Sequence, residues 1–116
     1  AQAEGRAITT IEAEDPLIDR LRDAFLAQGA AQCGICTPGM IMAATDLLAR
    51  NPRPSRQEIE DGIGGVLCRC TGYVKIVEAI DSVARGINSF AEVAEAGCAV
   101  GARIARADGL AKVQGT

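Results

Sequence analysis

The sequence predicts an all-α domain, a compact bundle of four helices joined by short connections. Aromatic residues make up only 3% of the chain, with no Trp, whereas small and branched aliphatic residues are plentiful. Because sheets favour β-branched and aromatic side chains, this composition favours closely packed helices. Apolar residues recur at helical spacing in four segments, each bounded by residues that start or stop helices. With 116 residues, the chain is long enough for one core.

Residues 1–14 precede the first predicted helix. They contain a short β-leaning run, Ile8–Ile11, with no hairpin partner, which we interpret as a strand or linker arriving from elsewhere. The first helix is expected to have Asp15 as its N-cap and Pro16 at its first position, and to stop at Gly29. One face of this helix carries the apolar residues Leu17, Ile18, Leu21, Ala24 and Phe25.

The second helix is expected to run from Thr37 to the residue before Asn51, because the following proline keeps Asn51 out of the helical conformation. Ser55 and Glu58 have the spacing of a capping box, which predicts the start of a third helix. Glycines at 62–65 should end that helix. They follow no strand and precede no Lys, so they do not predict a phosphate loop.

The fourth helix is expected from about Gly72 to Asn88, with Thr71 as its cap. Its apolar stripe comprises Tyr73, Val77, Ile80, Ala84 and Ile87. Residues 89–116 are rich in Ala and Gly and predict an irregular C-terminal linker, with one short helical possibility at 90–96.

Four of the five cysteines form two close pairs, each of which leads into a predicted helix start. Cys33 and Cys36 form C-x-x-C, and Cys68 and Cys70 form C-x-C. Helix N-termini favour negative charge, so four thiolates there predict a site for an anionic metal–sulfur centre. The expected backbone N–H donors to the sulfurs are those of Gly34, Thr37, Arg69 and Thr71. Cys98 stands alone and is interpreted as a small apolar side chain.

The spacing of the cysteines leaves three kinds of site open: a [2Fe–2S] cluster, a structural zinc ion and a redox dithiol. The chain has no His, which excludes His-ligated zinc and Rieske-type ligation. Zinc sites usually pair two C-x2-4-C turns, and a dithiol would leave Cys68 and Cys70 unexplained. A zinc-stabilised helical interaction module with a four-cysteine site therefore remains the main alternative to an iron–sulfur protein.

Charge and hydropathy exclude other classes. The net charge of −3 comes without a basic stripe, which argues against nucleic acid as a partner. No segment approaches the roughly 20 apolar residues of a membrane span. The first residues lack the pattern of a signal peptide, so we expect a cytoplasmic location, with a periplasmic one left open for a longer parent enzyme. No catalytic residue is assigned, since Glu58, Glu60 and Asp61 occupy helix-surface positions.

The segments Ala31–Met40 (AQCGICTPGM) and Leu67–Tyr73 (LCRCTGY) resemble the second, all-helical [2Fe–2S] domain of the molybdenum hydroxylases, the xanthine oxidase and aldehyde oxidoreductase group. The resemblance covers about residues 5–87. It implies that a [2Fe–2S] cluster at the N-termini of two helices is ligated by Cys33, Cys36, Cys68 and Cys70. It further implies that Gln32 and Cys70 approach the molybdopterin cofactor of a neighbouring domain. Ile35 departs from the family pattern, where Phe is common, and Val66 departs where Asn is common.

The same resemblance implies an electron-transfer role in a molybdenum-containing oxidoreductase. Electrons would pass singly from the molybdopterin through this cluster to a second [2Fe–2S] cluster in a plant-type ferredoxin domain. We therefore expect residues 1–14 to be a linker from that domain, 15–88 the helical cluster-binding domain, and 89–116 a linker toward a molybdenum-binding domain or subunit. This order, without an FAD domain in between, resembles aldehyde oxidoreductases more than xanthine or N-heterocycle dehydrogenases. A homodimeric parent enzyme is compatible with it.

Overall fold

The computed structural model describes residues 3–87, 95, 97–98, 100–102 and 104–115, and within these residues it is helical with no sheet. The all-α class predicted from the sequence is confirmed. The described residues contain five helices, one more than predicted. Their bounds are Pro16–Gln28 (α1), Thr37–Arg50 (α2), Arg56–Ile63 (α3), Tyr73–Ala84 (α4) and Gly109–Gln114 (α5). No helix in these ranges has both the length and the hydropathy to cross a membrane.

Helices α1 and α3 begin where local sequence signals place them. The Asp15 carboxylate accepts hydrogen bonds from the backbone N–H groups of Leu17 and Ile18, at 2.7 and 3.3 Å. Ser55 and Glu58 form the predicted capping box, in which each side chain accepts from the other residue's backbone N–H. Side-chain oxygens thus satisfy N–H groups that have no partner inside their own helix.

Helix α4 is shorter than predicted at both ends. Its N-cap is Gly72 rather than Thr71, because Thr71 adopts a left-handed conformation with φ 55° and its hydroxyl donates to the Cys70 carbonyl. At the other end the helix stops at Ala84, not Asn88, where Gly86 has φ +71°. Ile87 then donates its N–H to the Ser82 carbonyl, which closes a Schellman motif and leaves the Ile87 side chain 55% exposed.

The core lies between α1 and α4, with α2 and α3 packed around it. Phe25 of α1, Met40 of α2, Ile59 of α3 and Ile80 of α4 are all fully buried. Burying a side chain of this size stabilises the fold by roughly 1.5–3 kcal/mol. Because Met40 lies in this core, it fills space there, as its helical spacing predicts.

Helix α5 lies in the segment for which the sequence predicts an irregular linker. It packs against α1 and α2, and its Val113 side chain is only 1% exposed. Gly109 sits so close to α1 that a Cβ there would come within 2.3 Å of Leu26 Cδ1. The predicted helical turn at 90–96 falls, apart from Glu95, outside the described residues. The division into linkers and a cluster-binding domain stays a prediction.

Candidate metal centre

The two cysteine turns meet at the N-terminal ends of α2 and α4. The side chain of Cys33 interacts with that of Cys70, and the side chain of Cys36 interacts with that of Cys68. Each pair therefore takes one sulfur from each turn. The structure brings together all four cysteines that the sequence singled out. The cysteines of the first turn precede those of the second turn by 32 or more residues along the chain.

Backbone hydrogen bonds make both turns tight. The Thr37 N–H donates to the Gly34 carbonyl at 3.2 Å, and the Thr71 N–H donates to the Cys68 carbonyl at 3.3 Å. Gly34 has φ +94° and Thr71 has φ 55°, so each turn includes one left-handed residue. Gly34 lies between the two cysteines of the first turn, whereas Thr71 follows Cys70 and directly precedes Gly72, the N-cap of α4.

The polar environment of the four thiols is unequal. The N–H of Ile35, followed by the hydrogen bond from Cys70, lowers the pKa of Cys33. The N–H of Gly72 does most to lower the pKa of Cys68, and the N–H groups of Cys70 and Thr71 add to this.

Cys36 differs from these two thiols. Burial, together with its hydrogen bond to Cys68, raises the pKa of Cys36 to about 11. The two turns thus favour thiolate at one cysteine of each cross-turn pair, Cys33 and Cys68.

Of the four expected N–H donors, Thr71 donates to the Cys68 sulfur as well as to the Cys68 carbonyl, whereas the Thr37 N–H donates to the Gly34 carbonyl and its contact with a sulfur stays a prediction. The roles of Gly34 and Arg69 stay predictions. Donors that the sequence did not indicate are Ile35, Cys70 and Gly72. They depend on the exact path of each turn, which residue types alone do not specify.

Tyr73 is a site residue that sequence reasoning missed. Its hydroxyl accepts a hydrogen bond from the Cys68 N–H at 2.8 Å. The sequence assigned Tyr73 only to the apolar stripe of the fourth helix. A usable signal was present, since Tyr73 is the only Tyr in the chain and follows the second cysteine pair within three residues.

Gln32 lies beside the second cysteine turn. The side chain of Gln32 extends over Gly72, where an added Cβ would be 3.0 Å from Gln32 Nε2. Gln32 and Cys33 are both exposed, and Cys70 is half-buried. The contact of Gln32 and Cys70 with a pterin stays a prediction.

An apolar rim, Ile35 and Leu67, lies next to the cysteines in the sequence of each turn. These side chains are 87% and 86% exposed. Large apolar side chains that remain exposed beside a polar site often mark a surface that binds another protein surface. Cys98 is a free and exposed thiol, so its predicted role as a small apolar side chain has no support from burial.

The donor set fits an iron–sulfur centre. Two cross-turn pairs of soft thiol ligands, with N–H donors aimed at their sulfurs, match the needs of an Fe–S cluster.

Fold and site together define a helical iron–sulfur-binding domain with four cysteines at the N-termini of two helices. A family model described as a [2Fe-2S] binding domain matches residues 7–81. The chain belongs to this family of [2Fe–2S]-binding domains. The family predicted from the two cysteine motifs is thereby confirmed, and so is the cofactor class that the family binds.

Relatives of the chain include small subunits of hydroxylases and dehydrogenases. The nicotine 6-hydroxylase small subunit of Paenarthrobacter nicotinovorans is 48% identical over 81 residues, which cover 69% of this chain and 49% of the relative. The xanthine dehydrogenase iron-sulfur-binding subunit of Escherichia coli O157:H7 is 46% identical over 85 residues, covering 69% and 53%. The chain thus spans about half the length of these relatives.

Among solved structures, the aldehyde oxidoreductase from Desulfovibrio desulfuricans ATCC 27774 matches with a TM-score of 0.78 and 36% identity. This match covers 92% of the present chain and 13% of that enzyme. Quinoline 2-oxidoreductase from Pseudomonas putida 86 matches with a TM-score of 0.60 and 43% identity, covering 75% and 58%. Both similarities support the fold described above.

Proposed function

We propose that this chain holds one [2Fe–2S] cluster on Cys33, Cys36, Cys68 and Cys70 and transfers electrons within a molybdopterin-dependent hydroxylase or dehydrogenase. The observation that carries the proposal is the pairing of sulfurs across the two turns, Cys33 with Cys70 and Cys36 with Cys68. Each pair would serve one iron. When bound, such a cluster supplies a centre that accepts and releases one electron at a time.

The protein's own contribution is to stabilise negative charge at the site. Ile35 donates its N–H to one sulfur, and Gly72, Cys70 and Thr71 donate theirs to another. Such donors favour the more negative, reduced state of a thiolate-bound centre. Helix N-termini at α2 and α4 add to this by roughly 0.3–1 kcal/mol each. The chain supplies ligands and electrostatics, and it has no catalytic residue of its own.

A molybdenum-binding domain or subunit is the partner we propose for the apolar rim. Ile35 and Leu67 would be covered there, and the adjacent Gln32 and Cys70 would face the pterin. A plant-type ferredoxin domain with a second [2Fe–2S] cluster would receive the electrons. Because the ligands must be reduced thiols, a cytoplasmic location suits the site.

For the parent enzyme we propose an aldehyde oxidoreductase, with a xanthine or N-heterocycle dehydrogenase as the less favoured alternative. Among the solved structures, the similarity to the Desulfovibrio aldehyde oxidoreductase covers 92% of this chain, whereas the similarity to quinoline 2-oxidoreductase covers 75%. The longer match supports the aldehyde enzymes, in agreement with the domain order expected from the sequence. A homodimeric parent fits this proposal.

Metal and sulfide analysis of the anaerobically purified chain tests the cluster. We expect a red-brown protein with about two irons and two labile sulfides per chain and an electron paramagnetic resonance signal on reduction. The matched control is Cys98→Ser, which should retain the full cluster. A colourless protein with one tightly bound zinc would contradict the proposal and establish the alternative, a zinc-stabilised interaction module.

A further inference from the structure

Two cations of the C-terminal segment bind the backbone of the first cysteine turn. Arg106 Nη1 donates to the carbonyl oxygens of Ala31 and Gln32, at 3.1 and 2.5 Å. Lys112 Nζ donates to the next carbonyl, that of Cys33, at 3.0 Å. Three consecutive carbonyls that lead into the cysteine turn are therefore held by side chains from more than 70 residues away.

Asp108 holds the two cations in place. Its carboxylate accepts from Arg106 Nε and Nη2 at 2.9 and 3.0 Å, and it lies 3.3 Å from Lys112 Nζ. A two-pronged Arg–carboxylate contact fixes both position and direction of the guanidinium. We call Arg106, Asp108 and Lys112 the clamp.

The clamp also packs against the turn through the aliphatic part of Lys112. A Cβ on Gly34 would lie 2.8 Å from Lys112 Cγ, so the lysine stem closely covers this glycine. Only 21% of the Lys112 side chain is exposed. A cavity of about 270 Å³ lies between the turn and α5 and is lined by Cys33, Gly34, Ile35, Pro38, Lys112 and Gly115.

Helix α5 is itself anchored on the core, which gives the clamp a fixed base. Val113 is buried, and Gly109 lies against Leu26 of α1. Gly115 ends the helix with φ +79°, where a Cβ would be 2.9 Å from Ile11 Cγ2. Contacts with both α1 and the N-terminal segment hold α5 in one position relative to the turn.

We propose that the clamp positions the first cysteine turn and raises the reduction potential of the centre bound there. By engaging the carbonyls of Ala31, Gln32 and Cys33, it fixes the orientation of the peptide groups that precede the Ile35 N–H donor. The Lys112 ammonium adds a positive charge beside Cys33, which favours the reduced state of an anionic centre. The effect on potential rests on the proposed cluster, whereas the positioning of the turn does not.

The charge effect is tested with Lys112→Met, which keeps the stem over Gly34 but removes the ammonium. In a redox titration of the cluster, followed by electron paramagnetic resonance, we expect the reduction equilibrium constant to fall by about tenfold, or ~59 mV for one electron. Lys112→Arg should restore most of the wild-type potential. Arg50→Met, which removes a positive charge from the far end of α2, is the matched control and should leave the potential unchanged.

The positioning effect is tested without any metal. In metal-free protein, Arg106→Gln should make amide hydrogen exchange at residues 31–36 roughly fivefold faster, the change expected on loss of one to two hydrogen bonds. Exchange in α3 should stay at the wild-type rate, which shows that the variant is folded.

Each outcome bears on a separate claim. Unchanged potential in a cluster-loaded Lys112→Met protein overturns the charge effect, and unchanged exchange in Arg106→Gln overturns the positioning. A wild-type chain that assembles no cluster overturns the proposed function and with it the charge effect. The exchange measurement then still decides whether the clamp positions the turn.

Discussion

The starts of helices α1 to α4 fall into two groups. Helices α1 and α3 are capped by oxygens of their own side chains, from Asp15 and from the Ser55–Glu58 capping box. Helices α2 and α4 have Cys36 and Gly72 as N-caps, neither of which makes a side-chain capping hydrogen bond. Among these four helices, the two without a side-chain cap are those that follow the cysteine turns. Helix α5 also lacks such a cap, since the carboxylate of its N-cap residue, Asp108, binds Arg106 and Lys112 instead.

This difference separates helix starts that serve folding from those that serve the site. Where a local oxygen satisfies the first N–H groups, the helix is stabilised and nothing further can bind there. At the start of α4, the N–H groups of Cys70, Thr71 and Gly72 instead lie against the Cys68 sulfur. This helix start lacks the stabilisation of about 1 kcal/mol that a side-chain cap would give, and its N–H groups serve as donors to an anionic ligand set instead.

Cys68→Ser should give the largest effect at the uncapped starts. We expect it to lose most of the iron, because a hydroxyl replaces the sulfur that collects three backbone N–H donors. The free energy of unfolding of the metal-free variant should lie within about 0.5 kcal/mol of the wild-type value, since the site adds little to the core. Iron analysis and urea unfolding check both halves. Full iron occupancy in Cys68→Ser would remove the assignment of this cysteine as a ligand.

Asp15→Ala should show the opposite behaviour. Loss of the carboxylate that accepts from Leu17 and Ile18 should lower the free energy of unfolding by about 1 kcal/mol while iron content stays unchanged. Asp15→Asn, which keeps an accepting oxygen, is the control and should remain close to wild type. If Asp15→Ala instead lowered iron content without loss of stability, the division between the two groups of helix starts would fail.

Tyr73→Phe sharpens the comparison, since it removes the hydroxyl oxygen that supports the cysteine turn before α4, one of the helices without a side-chain cap. The Cys68 N–H would lose its acceptor, and we expect a loss of about 0.5–1.5 kcal/mol in unfolding free energy. Faster amide exchange at residues 67–72, with α1 unaffected, would place the effect at the second turn. Equal exchange in variant and wild type would show that the hydroxyl does not hold this turn.

The smallest effect concerns pH and the capping box of α3. Hydrogen bonds from the Ser55 backbone N–H and hydroxyl lower the pKa of Glu58. The pKa of Glu58 is therefore lower in the folded protein than in the unfolded chain, where it is about 4.3. The stabilisation of the fold by the Glu58 carboxylate is present at pH values above the unfolded pKa, and it is lost as the pH falls through the folded pKa. Amide exchange in α3 should therefore accelerate in acid. Glu58→Gln should abolish the pH dependence, and a persistent one would assign it to another group.

Local signals predicted most of the helix boundaries. Asp15 with Pro16, Gly29, Asn51 with Pro52, and Ser55 with Glu58 each act over a few residues, and the corresponding boundaries are confirmed. Boundaries that depend on backbone conformation were wrong, as at Thr71 and Gly86. A Thr beside a helix start is usually a cap, and nothing in its neighbours indicates that Thr71 will adopt φ 55°.

The candidate site divides in the same way. Cysteine spacing alone predicted which four thiols gather, because two short turns leave their ligands only a few residues of freedom. Which sulfurs pair across the turns and which N–H groups donate to them follows from how α2 and α4 pack.

Thus the sequence by itself determined the helical class, the capped starts and the cysteine set, since these depend on interactions within a few residues. Only the tertiary structure decided that Tyr73 supports Cys68 and that Arg106, Asp108 and Lys112 hold the first turn. The reason is distance along the chain. A hydrogen bond between α5 and a turn that lies over 70 residues earlier produces no periodicity or residue spacing in either segment from which the contact could be predicted.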